Sequence, residues 1–86
     1  MLMSEDDQAP IDPAAAPYVY EIVADRIEQR IRSGEFAPGS RLPNRTELAE
    51  HYGVAEMSIR RAHQELEKRG LIVVRPGKGV YVAGEG

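Results

Sequence analysis

The sequence predicts a mainly α-helical domain of three helices closed by a small two-stranded β-hairpin. Three observations carry this reading. Apolar residues recur at helical spacing over about 18–32 and again over about 44–69. Glycine, proline and asparagine punctuate these stretches where helices begin and end. After Gly70 the pattern changes to two short β-branched runs on either side of a Pro-Gly turn.

In the first helix Tyr20, Val23, Ile27 and Ile31 recur every three or four positions, with Glu21, Asp25, Glu28 and Arg32 on the other side. Ser33-Gly34 stops it, because glycine takes the left-handed conformation that closes a helix. Pro38-Gly39 then turns the chain toward Ser40-Arg41-Leu42, a candidate for a short third strand. Asn44 is a favoured N-cap for the second helix, and Glu47 stands where a capping box requires it. Leu48, Ala49 and Tyr52 form the inward side of this helix and Gly53 ends it. The third helix is expected from about residue 56 to 69, with Ile59, Ala62 and Leu66 inward and Gly70 as its stop. Leu71-Ile72-Val73-Val74 and Val80-Tyr81-Val82 then form a hairpin around Arg75-Pro76-Gly77-Lys78-Gly79. Pro76 suits the first central turn position and Gly77 the next, where φ is positive. Two short helices joined by a glycine turn and followed by such a hairpin make a winged helix-turn-helix.

A chain of 86 residues has room for one small core. With no cysteine, neither disulfides nor thiolate metal sites can support it. The organisation expected is an acidic, Pro-rich disordered arm over 1–17, the folded domain over 18–83 and a short tail over 84–86. No apolar run approaches the roughly 20 residues of a membrane span, and the N-terminus lacks the basic-then-apolar order of a signal peptide. A cytoplasmic protein is expected. The formal charge of −3 misleads until it is located along the chain. Residues 1–17 hold Glu5, Asp6, Asp7 and Asp12 and no basic residue, leaving the remainder at +1; over 41–78, eight basic side chains face five acidic ones.

The stretch SGEFAPGSRLPNRTELAEHYGVAEMSIRRAHQELEKRGLIVVRPGKGVYVA resembles the DNA-binding domain of the GntR (gluconate-repressor) family of bacterial transcription regulators. Its most specific parts are G-x-x-x-P-G-x-x-L-P at 34–43, Glu47-Leu48-Ala49, Gly53-Val54, and LEKRGLI followed by a G-K-G tip; the resemblance covers about 18–83. It implies a winged domain, repressor-type regulation, and a homodimer on a pseudo-palindromic double-stranded operator. Pairing in solution and pairing only on DNA are the alternatives. It also implies a separate C-terminal effector domain, for which the three residues after Ala83 leave no space in this chain.

In such a fold the second helix of the pair enters the major groove and flanking cations hold phosphates. The candidate contacts on that helix are Glu56, Met57, Ser58, Arg60, Arg61 and Gln64. Arg45 and Thr46 precede it, and Arg75, Gly77 and Lys78 lie on the hairpin tip. Arg60 and Arg61 have the forked donors that suit guanine or phosphate. Two departures stand out. Where the family commonly places Ser or Thr, Arg and Thr, this chain has Ala55-Glu56-Met57, and Thr46 stands where the family often has arginine. Glu56 complements the helix dipole, and as a base reader it would favour cytosine N4 donors. These departures, with the acidic arm, motivate a second reading: a winged protein-interaction module whose altered helix no longer reads DNA. His51 and His63 have no partner at metal-ligand spacing, no nucleophile-base set or phosphate loop can be assembled, and neither enzyme activity nor a cofactor is expected.

Overall fold

A computed structural model of the chain describes residues 9–12 and 18–84. The order is α1 (Val19–Arg32), α2 (Arg45–Tyr52), α3 (Glu56–Lys68), β1 (Ile72–Arg75) and β2 (Gly79–Val82). The acidic arm and the tail expected from the sequence fall mostly outside the described residues. Where the arm is described, Ile11 is half-buried against the core and the Arg26 guanidinium donates to the Ala9 carbonyl.

The core lies where the three helices meet the base of the hairpin. Val23, Ala24 and Ile27 come from α1, Leu48, Ala49 and Tyr52 from α2, and Ile59, Ala62 and Leu66 from α3; Leu42, Ile72 and Val82 close it. Tyr20 and Ile31, read from the sequence as part of the inward stripe, are half-buried at its margins. Full burial of an aliphatic side chain contributes roughly 1.5–3 kcal/mol, so this small set carries most of the stabilisation.

Both ends of α2 and the end of α3 have identifiable local causes. The Asn44 side chain accepts from the Glu47 N–H at 2.8 Å, and the Glu47 carboxylate accepts from the Asn44 N–H at 3.0 Å, completing the capping box. Gly53 then takes φ 67°, a left-handed conformation that costs any residue with a Cβ about 1 kcal/mol or more, and its N–H donates to the Ala49 carbonyl. That sharp exit sets the angle between α2 and α3. At the end of α3 the Gly70 N–H donates to Glu67 and the Leu71 N–H to Leu66, the two bonds of a Schellman motif. Ala55 at the N-cap of α3 has no side-chain cap bond.

The hairpin is antiparallel, pairing Ile72 with Val82 and Arg75 with Gly79. Lys78 N–H donates to the Arg75 carbonyl across Pro76-Gly77, with Gly77 at φ 76° as its turn position requires. The ladder lies one residue later than the apolar run suggests, because the Leu71 N–H is already committed to the end of α3. Only Ile72 of that run is buried, while Val73 and Val74 are each 40% exposed as the hairpin leaves the core. The expected third strand is reduced to a single bridge, Arg41 with Tyr81. It is flanked by the Leu42 N–H to Val80 and Val82 N–H to Ser40 bonds, both 2.8 Å.

Charged groups also tie the helices together. Arg69 donates to Asp25 and Glu28 of α1 at 2.9 and 2.8 Å and to Glu65 at 3.0 Å. Hydrogen bonds from Arg32 and Arg69 hold the Glu28 carboxyl below its ordinary range. Arg30 donates to Glu35 and to the Tyr52 hydroxyl and lies 4.2 Å over the Phe36 ring, linking the end of α1 to α2.

His63 completes the buried stripe of α3; it is 6% exposed, and its Nε2 has no partner among the described residues. Burial, and then the nearby charge of Arg45, lower its pKa from the ordinary value. Because the unfolded chain takes up a proton that the folded imidazole resists, stability is full above about pH 6.5 and falls as the pH drops below it. The urea midpoint should therefore be lower at about pH 5.5 than at about pH 7.5, and His63→Leu should flatten that difference. Asn44→Ala should cost about 1 kcal/mol, read as a fall of about 4–8 °C in melting temperature.

Candidate nucleic-acid interface

With Ile59, Ala62, His63 and Leu66 turned inward, a rotation of 100° per residue sends the remaining side chains of α3 in fixed directions. Arg60 and Gln64 face the hairpin, while Glu65 faces α1. Glu56 and Met57 stand at the open N-terminal end, and Met57 is 59% exposed. Ser58 is half-buried.

Between α3, the hairpin and the 41–45 segment lies a cleft of about 720 Å³. Arg41, Arg45, Arg60, Arg75 and Lys78 line it together with one carboxylate, Glu67. None of these five cations forms an ion pair among the described residues. Four other basic side chains are neutralised: Arg30 by Glu35, Arg32 by Glu28, Lys68 by Glu65, and Arg69 by three carboxylates, whereas Arg61 rests on the Tyr20 ring. A chain with a formal charge of −3 thus presents one face of uncompensated positive charge, and a concave surface of one sign concentrates the field that attracts an anion.

Two positions shape the cleft more finely. A Cβ at Gly79, where φ is 133°, would lie 2.6 Å from Arg41 Nε, so the guanidinium rests directly on the glycine backbone. Arg75 stands 5.8 Å from the Tyr81 ring centroid, in reach of the ring face. Gly77 and Lys78 form the tip and are exposed.

Sequence reasoning grouped Arg60 with Arg61, and the structure separates them. The Arg61 guanidinium lies 4.5 Å over the Tyr20 ring of α1, a turn of 100° around α3 from Arg60 and outside the cleft lining. Arg41, by contrast, enters the sequence reading in the charge balance and in the short Ser40-Arg41-Leu42 strand, and not among the candidate contacts. Strand alternation was the available signal: with Leu42 inward, its neighbour Arg41 must point outward.

Thr46 and Glu56, the two departures from the GntR pattern, meet each other. The Thr46 hydroxyl donates to Glu56 Oε2 at 3.3 Å, joining the first turn of α2 to the first turn of α3. Among the described residues no group of His, Cys, Asp and Glu could hold a metal ion, and no helix is long and apolar enough to cross a membrane.

Comparison with known proteins agrees with this architecture. The family of bacterial regulatory proteins designated gntR matches over residues 19–82. The histidine utilization repressor of Klebsiella aerogenes is 41% identical over 70 residues, covering 81% of this chain and 29% of that protein. This chain spans under a third of the length of the curated relatives it matches. Among solved structures, the DNA-binding domain of AraR in complex with operator ORX1 superposes with a TM-score of 0.74 at 32% identity, covering 88% of this chain and 90% of that one. YtrA from Sulfolobus acidocaldarius, a GntR-family transcription factor, gives a TM-score of 0.75 at 33% identity over 92% of this chain and 83% of its own. The winged fold, the match over nearly the whole described domain and these relatives agree: the chain belongs to the gntR family of bacterial regulatory proteins.

Proposed function

We propose that this domain binds duplex DNA in a sequence-dependent way, as the DNA-reading part of a repressor-type transcription regulator. The observation that carries this is the set of five cations without ion pairs around the cleft beside α3, while Arg30, Arg32, Lys68 and Arg69 elsewhere on the domain are each held by carboxylates. The winged fold supplies the geometry: α3 enters the major groove and the Arg75–Lys78 tip follows the neighbouring backbone or minor groove. Arg45, on the first turn of α2, reaches a phosphate, and Gly77 lets the tip approach closely. Arg60 and Gln64 lie on the side of α3 nearest the cleft, where a guanidinium and an amide can reach base edges. Ser58, half-buried, has a smaller part, and Arg61 reaches DNA only with the edge of a guanidinium whose face is occupied by Tyr20.

The relatives support the same reading, being named repressors or captured on an operator. Two copies would occupy a pseudo-palindromic site, each half reading one major groove, and the role would place the protein beside the nucleoid in the cytoplasm. The protein-interaction alternative accounts for Glu56 and Met57 but gives no reason for five cations left without carboxylates.

Phosphate contacts displace counterions, so affinity for the best duplex should fall steeply with salt. Lys78→Ala should lower that slope by about 1 while weakening all sequences alike. Arg60→Ala should cost about 1–3 kcal/mol at the preferred site and relax the sequence preference, and Arg61→Ala should cost less. Fluorescence anisotropy titrations across a salt series check this. Wild-type affinity at every salt concentration in both the Lys78 and Arg60 variants would sink the mapping. Light scattering with and without the duplex should find two domains on each operator.

A further inference from the structure

We infer that Thr46 and Glu56 act as one reading unit, in which the Thr46 hydroxyl fixes the Glu56 carboxylate to accept a hydrogen bond from the exocyclic amino group of a cytosine or adenine. This rests on the DNA-binding reading above and names a base preference within it.

The first turn of α3 presents Glu56, Met57 and Ser58 and no cation; the cations of this helix begin at Arg60. A turn of that composition offers phosphate no cationic side chain, and the carboxylate would be repelled by it. The base edges of the major groove are different. Cytosine N4 and adenine N6 are donors there, and the thymine methyl is an apolar partner. An acceptor at Glu56 beside the exposed thioether of Met57 matches donor and methyl groups, and neither matches the acceptor pair of guanine.

A free glutamate on a surface loses rotamer entropy when it is fixed on binding, which weakens the contact it makes. Here that freedom is already restricted. Thr46, on the first turn of α2, donates to Oε2 at 3.3 Å, which leaves Oε1 free to accept from a base. No lysine or arginine among the described residues pairs with this carboxylate. Its charge is therefore not neutralised by a cationic side chain within the fold. Thr46 is a positioning residue, and Glu56 makes the contact.

Selection of bound duplexes from a random pool, run on the wild-type chain and on Glu56→Ala, Thr46→Val and Thr46→Ser, tests this, with melting temperatures confirming that each variant is folded. In the wild type, one position of each half-site should require cytosine or adenine on the strand facing Glu56, and which of the two is enriched identifies the base. Glu56→Ala should lose a preference of about 5- to 150-fold at that position alone, the others being kept. Thr46→Val should flatten the same position in part, and Thr46→Ser, which keeps the hydroxyl, should restore it. A motif identical in wild type and Glu56→Ala overturns the inference, as does loss in Glu56→Ala with none in Thr46→Val, which leaves Thr46 no part. Failure of the wild-type chain to enrich any motif at low salt would instead overturn the DNA-binding reading itself.

Discussion

Once Ile59, Ala62, His63 and Leu66 are buried, a helix turning 100° per residue has no freedom left in where it sends its other side chains. That burial is the constraint on which the rest of the domain depends. It places Arg60 and Gln64 beside the hairpin, Arg61 and Glu65 toward α1, and Glu56 beside Thr46. The Gly53 turn and the Schellman end at Gly70 then fix where α2 and the hairpin stand relative to that helix. A small core can do this because its few residues come from every element, so each large side chain restrains several elements at once.

Charge is sorted by the same packing. Drawing α1 against the end of α3 brings Asp25, Glu28 and Glu65 around Arg69, and the carboxylates there are consumed by basic side chains of their own neighbourhood. Ion pairs that are partly exposed add little to stability, typically about 0–1 kcal/mol each, so their larger effect is on the field. They quench the positive charge of Arg30, Arg32, Lys68 and Arg69 and leave that of the cleft uncompensated. Net charge, which sums both sides and the acidic arm, hides this arrangement entirely.

The two helices of the pair begin differently. α2 begins with a full capping box, whereas α3 begins at Ala55 with no side-chain cap. The Thr46–Glu56 bond compensates in part by linking the two helix starts, and Glu56 favours the positive end of the helix dipole. Conflicts between local propensity and global fold concentrate at sites that touch something else, and this one coincides with the two departures from the family's usual residues.

Local physics made most of the fold legible in the sequence. Asn44 with Glu47, Gly53, Gly70 and Pro76-Gly77 act within a few residues of themselves, so composition and spacing determined where the helices and the turn lie. Helical periodicity likewise determined Leu48, Ala49, Tyr52, Ile59, Ala62 and Leu66 as core. The sequence could not decide between faces that only packing distinguishes. Leu71-Ile72-Val73-Val74 reads as uniformly apolar, yet one residue of it is buried, because the hairpin leaves the core after its first pair. Arg60 and Arg61 are adjacent and alike, and only the nearness of Tyr20, 41 positions earlier in the chain, draws one of them away from the cleft. Arg41 joins the cleft only because its segment pairs with β2, and Thr46 meets Glu56 only because the Gly53 turn brings two helix starts together. What the sequence determined was each element and its inward face. What the tertiary structure decided was which outward side chains share a surface, since that depends on contacts between residues far apart in the chain.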